Sequence, residues 1–205
     1  MGLSADQLRT ALDDLAGREP AFAAALARAG YPEPRIRAPG YGTLLRTIVG
    51  QQVSVAAAAS VWRKLEEQCG DLEIPANVAK ASDEQLRAAG MSRQKAGYAR
   101  SLADEVTSGR LDLDNLPADD EEAIVALTRI KGIGRWSAEI YLLFAEGRAD
   151  IWPAGDLAVQ IEVGRILGHE ARPSEKLTRD LAEAWRPHRG AAAIMAWHHY
   201  KIEVI

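Results

Sequence analysis

The chain has 205 residues, of which 47% are hydrophobic and 26% charged, and this composition is typical of a globular protein. Its net charge of −4 argues against binding nucleic acid through a broad positive field, but leaves room for a local basic face. The single cysteine, Cys69, excludes an internal disulfide as well as a four-cysteine zinc site or iron–sulfur cluster.

Targeting and metal-binding signals are lacking in the sequence. No apolar run approaches the roughly 20 residues needed to cross a bilayer, and no signal peptide opens the chain. We therefore expect a cytoplasmic protein without a membrane partner. The histidines follow no metal-binding spacing and are expected at the surface or at helix ends: His169, His188, His198 and His199.

The first third of the chain is predicted to be helical. Two short helices are expected over residues 4–16 and 19–29, and a longer helical run extends over residues 43–68. Within that run a glycine and two glutamines, ending at Gln52, interrupt the apolar pattern. The interruption indicates a kink or two helices that meet near Gln52. It is either an exposed polar turn or a set of amides presented to a polar ligand.

Two further helices are predicted in the middle of the chain. Ser82 caps the first, over residues 82–89, and Ser92 caps the second, which runs to about Ser108. The second helix has cations in its first turn, among them Lys95, and these oppose the helix dipole. Such cations either lie on a solvated face or serve a binding partner.

Two glycines, Gly132 and Gly134, form a turn between two helical patterns at residues 119–145. Glycine allows a positive φ and lets another chain approach the backbone closely. The amides that open the second helix carry the positive end of the helix dipole and can bind a phosphate, and Lys131 and Arg135 flank them. The turn is therefore either a simple corner between two helices or a helix-hairpin-helix that grips one DNA phosphate.

An aspartate opens the next helix. Proline and glycine in the run Trp152–Gly155 prevent a helix there, and Asp156 then stands at the start of a helix that runs to about Leu167. Two more helices are predicted over residues 174–185 and 189–200. Because no convincing alternating strand occurs, the sequence predicts an all-α fold.

Four stretches of the chain resemble the helix-hairpin-helix (HhH-GPD) superfamily of DNA glycosylases, with the short form of the bacterial 3-methyladenine glycosylase II type the most similar. They occur in the order and at the spacing of that family, from about residue 40 to about residue 200. The resemblance favours the DNA-binding hairpin over the simple corner. The four stretches are Ile48–Ser54, Gly90–Ala96, Gly132–Ala138 and Trp152–Asp156.

This resemblance implies an all-α fold of two helical lobes with the active-site cleft between them. Residues 41–148 would form a six-helix barrel that ends in the hairpin, and residues 1–40 with 149–205 would form the second lobe. The implied activity is that of a monomeric base excision repair enzyme that removes alkylated purines, 3-methyladenine and also 7-methylguanine, from double-stranded DNA. Two alternatives are a glycosylase for a deaminated or other non-alkyl lesion and a non-catalytic DNA-binding protein.

Asp156 matches the catalytic aspartate of the family, and aspartate is also a favoured helix N-cap, so the two interpretations are compatible. Breaking an N-glycosidic bond develops positive charge on the sugar, which a carboxylate can stabilise while it orients or deprotonates the attacking water. Trp136 stands where bifunctional relatives have a Schiff-base lysine. The resemblance therefore implies a monofunctional enzyme that leaves an abasic site and an intact strand.

The base pocket implied by the resemblance is aromatic. Trp197 matches a pocket aromatic, and Trp152 and Trp136 are expected at the same cleft. Ile140 stands where the longer enzymes have a tyrosine. Each tryptophan could instead be a core residue. Purines alkylated on a ring nitrogen carry positive charge, which electron-rich aromatic faces attract.

The resemblance also assigns DNA contacts outside the pocket. The target base must leave the helix, and Gln52 matches the residue that fills the gap. No cofactor is required, but hairpins of the family bind Na⁺ or K⁺ through backbone carbonyls, here those of Thr128, Ile130 and Ile133. The alternative is an ordinary hairpin without an ion. The residues expected at the DNA backbone are Gly132, Gly134, Lys131, Arg135, Ser92 and Lys95.

Overall fold

The fold is helical throughout the described part of the chain. The computed structural model describes residues 2–204, and within them it contains α-helices, a π-helical segment, a 3₁₀ segment and no strand, as predicted. No helix among these residues is long and apolar enough to cross a membrane. The α-helices are α1 (Ala5–Arg18), α2 (Pro20–Ala29), α3 (Tyr41–Gly50), α4 (Val55–Cys69), α5 (Pro75–Lys80), α6 (Asp83–Ala88), α7 (Arg93–Thr107), α8 (Asp120–Thr128), α9 (Arg135–Tyr141), α10 (Leu157–Ile166), α11 (Glu175–Leu181) and α12 (Arg189–Val204).

Two compact units make up the chain. The hairpin unit comprises Ala38–Tyr141 and contains α3 to α9. The aspartate unit comprises the residues before and after it and contains α1, α2 and α10 to α12. Residues 142–148, predicted to close the hairpin unit, belong instead to the aspartate unit. Phe144 accounts for this difference, because it packs against Trp197 and its carbonyl accepts a hydrogen bond from the amide of Arg37.

The hairpin unit is built around α3 and α7, which pack against each other. Leu44, Leu45 and Ile48 recur on one face of α3 and are buried. Ala99 and Leu102 lie on the buried face of α7. The spacing of three to four residues between these positions is the helical period, so one face of each helix is removed from water.

The helical run predicted over residues 43–68 is a pair of helices that meet near Gln52, one of the two arrangements that its interruption indicated. α3 ends at Gly50, and α4 begins after Ser54, whose hydroxyl accepts a hydrogen bond from the amide of Ala57. In the loop between them Gln52 has a φ of 55°, a left-handed conformation that is uncommon for a residue with a side chain. The interruption of the apolar pattern therefore marks a turn between two helices.

The core of the aspartate unit is closed by aromatic rings. α1 packs against α2 and α12, and the residues of α12 from Ala191 to Ala196 are buried. Phe22 and Trp152 both meet the ring of Trp185 edge-on, with ring centroids 5.0 and 5.3 Å apart. Aromatic pairs in this geometry add to the stabilisation that burial alone provides.

Short elements are where sequence and structure differ most. α5 was not predicted, since its six residues are too few to show a helical period and its N-cap residue, Ile74, gives no capping signal. The helix predicted over residues 174–185 is α11 followed by a 3₁₀ segment, Ala182–Trp185. α11 and the 3₁₀ segment are too short for their sequence pattern to define where each begins and ends.

A buried hydroxyl in the aspartate unit offers a test of its core. Thr178 is fully buried, and its Oγ1 has no hydrogen-bond partner among the described residues. Thr178→Val keeps the shape of the side chain and removes this polar atom, so we expect the free energy of unfolding to rise by about 1 kcal/mol. Urea unfolding measures the change, and a lower value for the variant would show that the hydroxyl finds a partner in solution.

Candidate active site

Two hydrogen bonds hold Asp156 at the start of α10. Its Oδ1 accepts the backbone amide of Val159 at 3.0 Å and the indole N–H of Trp197 at 3.1 Å. The first bond is an N-cap, and the second fixes the carboxylate against α12. Because Asp156 is only half-buried, its carboxylate combines a fixed orientation with access from solvent.

A buried glutamine supports the loop that leads to Asp156. The Nε2 of Gln160 donates to the carbonyl of Ala154 at 2.7 Å, and the residue is 7% exposed. The amide of Asp156 donates to the carbonyl of Pro153 at 2.9 Å. These bonds close a tight turn in front of α10. Gln160 was not among the predicted site residues, although a polar residue on the inner face of an amphipathic helix is a signal for such a role.

The structure brings two of the predicted site residues together, Asp156 and Trp197. Trp197 lies in α12, is half-buried, and packs against Phe144 with ring centroids 5.6 Å apart. Since its indole N–H is donated to Asp156, an aromatic ring and a carboxylate share one corner of the aspartate unit. An electron-rich ring beside a carboxylate is suited to a positively charged base that is attached to a sugar.

Trp152 is a core residue. It is 3% exposed, and its indole N–H donates to the carbonyl of Thr178 at 3.1 Å while its ring packs against Trp185. These contacts anchor the loop before Asp156 to the core. The burial of Trp152 does not support the expectation that its ring lines a base pocket.

The aspartate unit also contains a fully buried acid–histidine pair. Glu162 in α10 and His199 in α12 are 0% and 1% exposed, and Nδ1 of the histidine lies 2.7 Å from Oε2 of the glutamate. The prediction that His199 lies at the surface or at a helix end is wrong. α12 continues to Val204 and packs against α10 and α2, so this face of the helix is interior.

The two glycines of the hairpin have different surroundings. Gly132 has a φ of 87°, and a Cβ at this position would clash with the ring of Tyr98. Its carbonyl accepts a hydrogen bond from Nε2 of Gln51 at 2.8 Å. A Cβ on Gly134, in contrast, would meet nothing within 4 Å. The fold therefore requires a glycine at Gly132, whereas Gly134 leaves an open surface at the start of α9.

Two of the cations predicted at the DNA backbone have partners within the hairpin unit. Arg135 donates to Glu121 at 2.8 Å and to Glu139 at 2.9 Å. The hydrogen bond to Glu121 and the charge of Glu139 raise the pKa of Arg135. Lys95 donates to the carbonyl of Val49 at 2.7 Å, and burial lowers the pKa of its ammonium group. Both side chains therefore stabilise the protein itself.

Ser92 and Lys131 lie at the start of α7 and in the hairpin turn. The Oγ of Ser92 caps α7 by accepting the amide of Lys95 at 3.2 Å. The backbone amide of Lys131 donates to the hydroxyl of Ser101 at 3.0 Å, and its side chain is exposed. A polar cavity of about 380 Å³ is lined by residues of the α3–α4 loop, α7 and the hairpin, among them Gln51, Gln52, Gln94, Lys95, Tyr98 and Gly132.

The remaining predicted residues lie on α9 and in the hairpin turn. Trp136 is 46% exposed, whereas Ile140 is 8% exposed. The carbonyl of Ile130 accepts the amide of Ile133 at 3.0 Å. Within residues 2–204, no group of histidine, cysteine, aspartate and glutamate side chains is arranged to hold a metal ion.

Comparison with known sequences identifies relatives over most of the chain. Residues 45–187 match the model of the HhH-GPD superfamily base excision DNA repair protein. The chain is 30% identical over 168 residues to DNA-3-methyladenine glycosylase 1 of Schizosaccharomyces pombe, which covers 79% of this chain and 73% of that protein. It is also 30% identical over 188 residues to DNA-3-methyladenine glycosylase 2 of Escherichia coli, which covers 85% of this chain and 64% of that protein.

Solved structures with the same fold include two enzymes of this kind. A DNA-3-methyladenine glycosidase from Bacillus halodurans matches with a TM-score of 0.85 and 31% identity, over 92% of this chain and 88% of that chain. The 3-methyladenine DNA glycosylase of Schizosaccharomyces pombe in complex with abasic DNA matches with a TM-score of 0.74 and 27% identity, over 96% of this chain and 97% of that chain.

Proposed function

This chain belongs to the HhH-GPD superfamily of base excision DNA repair proteins, and from that membership we propose that it is a monofunctional DNA glycosylase that releases alkylated purines. Relatives named as 3-methyladenine glycosylases support alkylated bases as its substrates, and a similar structure in complex with abasic DNA supports DNA as its partner. The observation that carries the proposal is the carboxylate of Asp156, held by both α10 and the indole of Trp197.

The reaction is the hydrolysis of the N-glycosidic bond. A purine alkylated on a ring nitrogen carries a positive charge, so it leaves as a neutral base with the electron pair of the C–N bond. The deoxyribose then develops positive charge, which the carboxylate of Asp156 stabilises. Asp156 also orients the water that attacks the sugar and accepts its proton. The products are the free base and an abasic site in an intact strand.

Two tryptophans, Trp197 and Trp136, support different parts of the proposed chemistry. The ring of Trp197 attracts the cationic base, and its N–H keeps Asp156 in place. Trp136 has no amine with which to form a Schiff base, so cleavage of the strand by a lyase step is not expected. Ile140 is 8% exposed on α9, so its burial, like that of Trp152, does not support a direct contact with the base.

The hairpin holds the DNA backbone in this proposal. The outward amides at the start of α9 bind one phosphate, and the open surface at Gly134 allows that phosphate to approach. Gly132 shapes the turn, while Lys131, Arg135, Ser92 and Lys95 surround it. Because Arg135 is shared with two carboxylates, backbone amides carry more of the contact than side-chain charge. We further propose that the protein acts as a monomer in the cytoplasm.

We propose that a monovalent cation binds at the hairpin turn. The carbonyls of Thr128, Ile130 and Ile133 are neutral oxygen donors, the kind of ligand that suits Na⁺ or K⁺. The oxygen of Ile130 already accepts one amide hydrogen, and its second lone pair stays available because each carbonyl has two. When bound, such an ion would add positive charge beside the proposed phosphate site.

Base release from methylated duplex DNA tests the proposed function. The wild-type protein should release methylpurines, detected by chromatography, and strand breaks should appear only after alkali cleaves the abasic sites. Breaks without alkali would contradict the role assigned to Trp136. Tight DNA binding without release of any methylpurine would contradict the proposal that alkylated purines are the substrate. Assays on deaminated bases would then distinguish a glycosylase for another lesion from a non-catalytic DNA-binding protein.

Gln52 yields a prediction in which stability and activity change in opposite directions. Because its φ of 55° disfavours a side chain, Gln52→Gly should raise the free energy of unfolding by up to about 1 kcal/mol. The same change removes the side chain proposed to fill the gap left by the flipped base, so base release should slow by about tenfold. Urea unfolding and single-turnover kinetics measure the two effects. Unchanged kinetics would show that another residue fills the gap.

A further inference from the structure

The contact between Asp156 and Trp197 joins two helices, so the orientation of α12 on α10 determines it. The 3.1 Å hydrogen bond depends on where α12 places the indole ring. Glu162 and His199 form a second bond across the same pair of helices. Glu162 is less than two turns beyond Asp156 along α10, and His199 follows Trp197 by two positions.

The buried pair is fully hydrogen-bonded from three sides. Oε2 of Glu162 lies 2.7 Å from Nδ1 of His199, and Oε1 accepts from Arg165 at 2.6 Å. The guanidinium of Arg28 in α2 lies 3.1 Å from Nε2 of the histidine. A guanidinium can only donate, so Nε2 accepts and Nδ1 carries the proton that is donated to Glu162. His199 therefore connects α12 to both α10 and α2.

Such a pair contributes orientation more than stability. Desolvating a carboxylate is costly, and an apolar pair of similar volume often stabilises a protein equally well. A hydrogen bond between a ring nitrogen and a carboxylate is directional, however, and an apolar contact is not. The hydrogen bond from the indole of Trp197 to the carboxylate of Asp156 also depends on the rotation of α12.

We propose that Glu162 and His199 are positioning residues of the glycosylase reaction: their buried hydrogen bond sets α12 against α10 and thereby holds the indole of Trp197 on the carboxylate of Asp156. This proposal rests on the proposed function for its effect on rate. Neither residue touches the substrate. A displacement of about 1 Å in a catalytic group can reduce a rate by about 100-fold.

Apolar replacement of the pair is the first test. The double variant Glu162→Leu/His199→Phe fills the same space and removes the bond, and Arg28 and Arg165 are exposed enough to be solvated. Single-turnover base release should fall by about 100-fold while DNA affinity is retained. Glu162→Gln keeps an oxygen acceptor for Nδ1–H and should preserve most of the rate. Thr178→Val serves as a control for repacking of the same unit.

Two single variants of His199 make the result independent of how the double variant folds. His199→Asn places an amide N–H near the position of Nδ1, so it can still donate to Glu162, whereas His199→Leu has nearly the same shape and cannot. Both create a similar cavity, and a purely structural role predicts equal losses. We expect the asparagine variant to retain a base-release rate about tenfold above that of the leucine variant.

The indole N–H of Trp197 provides a readout that does not need activity. Among the five tryptophan indoles, its ¹H–¹⁵N resonance is assigned by comparison with Trp197→Phe. It should shift in Glu162→Leu/His199→Phe and stay in place in Glu162→Gln. An unshifted resonance, or a shifted one with a wild-type rate, overturns the positioning role. If the wild-type protein releases no base, the proposed function fails, and the resonance alone decides whether the pair holds Trp197.

Discussion

Asp156→Asn should reduce the single-turnover rate of base release by about 1,000-fold. Asparagine keeps an Oδ1 that can accept from Val159 and Trp197, and it is itself a favoured N-cap, so the local structure should persist. The variant lacks the negative charge that stabilises the developing cation and the base that accepts the proton of water. Affinity for DNA with an abasic-site analogue, measured by fluorescence anisotropy, should change by no more than about threefold.

A matched substitution separates chemistry from helix capping. Asp119 caps α8 by accepting the amide of Glu122 at 3.0 Å, so Asp119→Asn removes the same charge from another helix start. Each variant should lose about 0.5 kcal/mol of interaction with a helix dipole. Only Asp156→Asn should lose base release. A rate for Asp156→Asn within about tenfold of the wild type would remove this carboxylate from the mechanism, because general-base catalysis contributes more than that.

Features encoded by neighbouring residues could be predicted from the sequence. Ser82 and Ser92 cap the helices assigned to them, because a cap needs only the three residues that follow it. The family motifs supplied Asp156, which caps α10, and Trp197, whose indole binds it. The membership of the chain followed from the same short stretches, whereas its helical fold followed from the helical period and the lack of alternating strands.

Features that depend on distant residues could not be predicted in this way. Trp152 and Trp197 are the same residue type, yet one lies in the core and the other binds Asp156, and only their tertiary contacts distinguish them. His199 meets Glu162, which lies 37 residues earlier. Arg135 is predicted from the sequence at the DNA backbone, but Glu121, 14 residues earlier, binds it. Helical periodicity identifies the buried face of a helix, but it does not identify the residues that pack against that face.

Gly134→Asp should weaken DNA binding by tenfold or more, which corresponds to about 1.4 kcal/mol or more, without loss of stability. The carbonyl of Gly134 accepts the amide of Ala138 at 3.0 Å, and a Cβ would meet nothing within 4 Å. Aspartate is a slightly better N-cap than glycine, so the fold accepts it. Its carboxylate, however, would stand where the amides of α9 are proposed to bind a phosphate, and the two negative charges repel each other. Gly134→Asn has nearly the same shape without the charge and should weaken binding less.

Gly132→Ala should instead lower stability and leave the intrinsic affinity for DNA unchanged. A side chain at its φ of 87° costs about 1 to 2 kcal/mol, and the added Cβ also forces the ring of Tyr98 to move. The free energy of unfolding should therefore fall by about 3 kcal/mol, and DNA binding should fall only as the folded fraction falls. Urea unfolding and fluorescence anisotropy, measured on Gly132→Ala and Gly134→Asp, distinguish the structural role of Gly132 from the phosphate-binding role proposed for Gly134. If Gly134→Asp bound DNA as tightly as the wild type, the turn would be only a corner between helices, because the open backbone at Gly134 would then carry no phosphate contact.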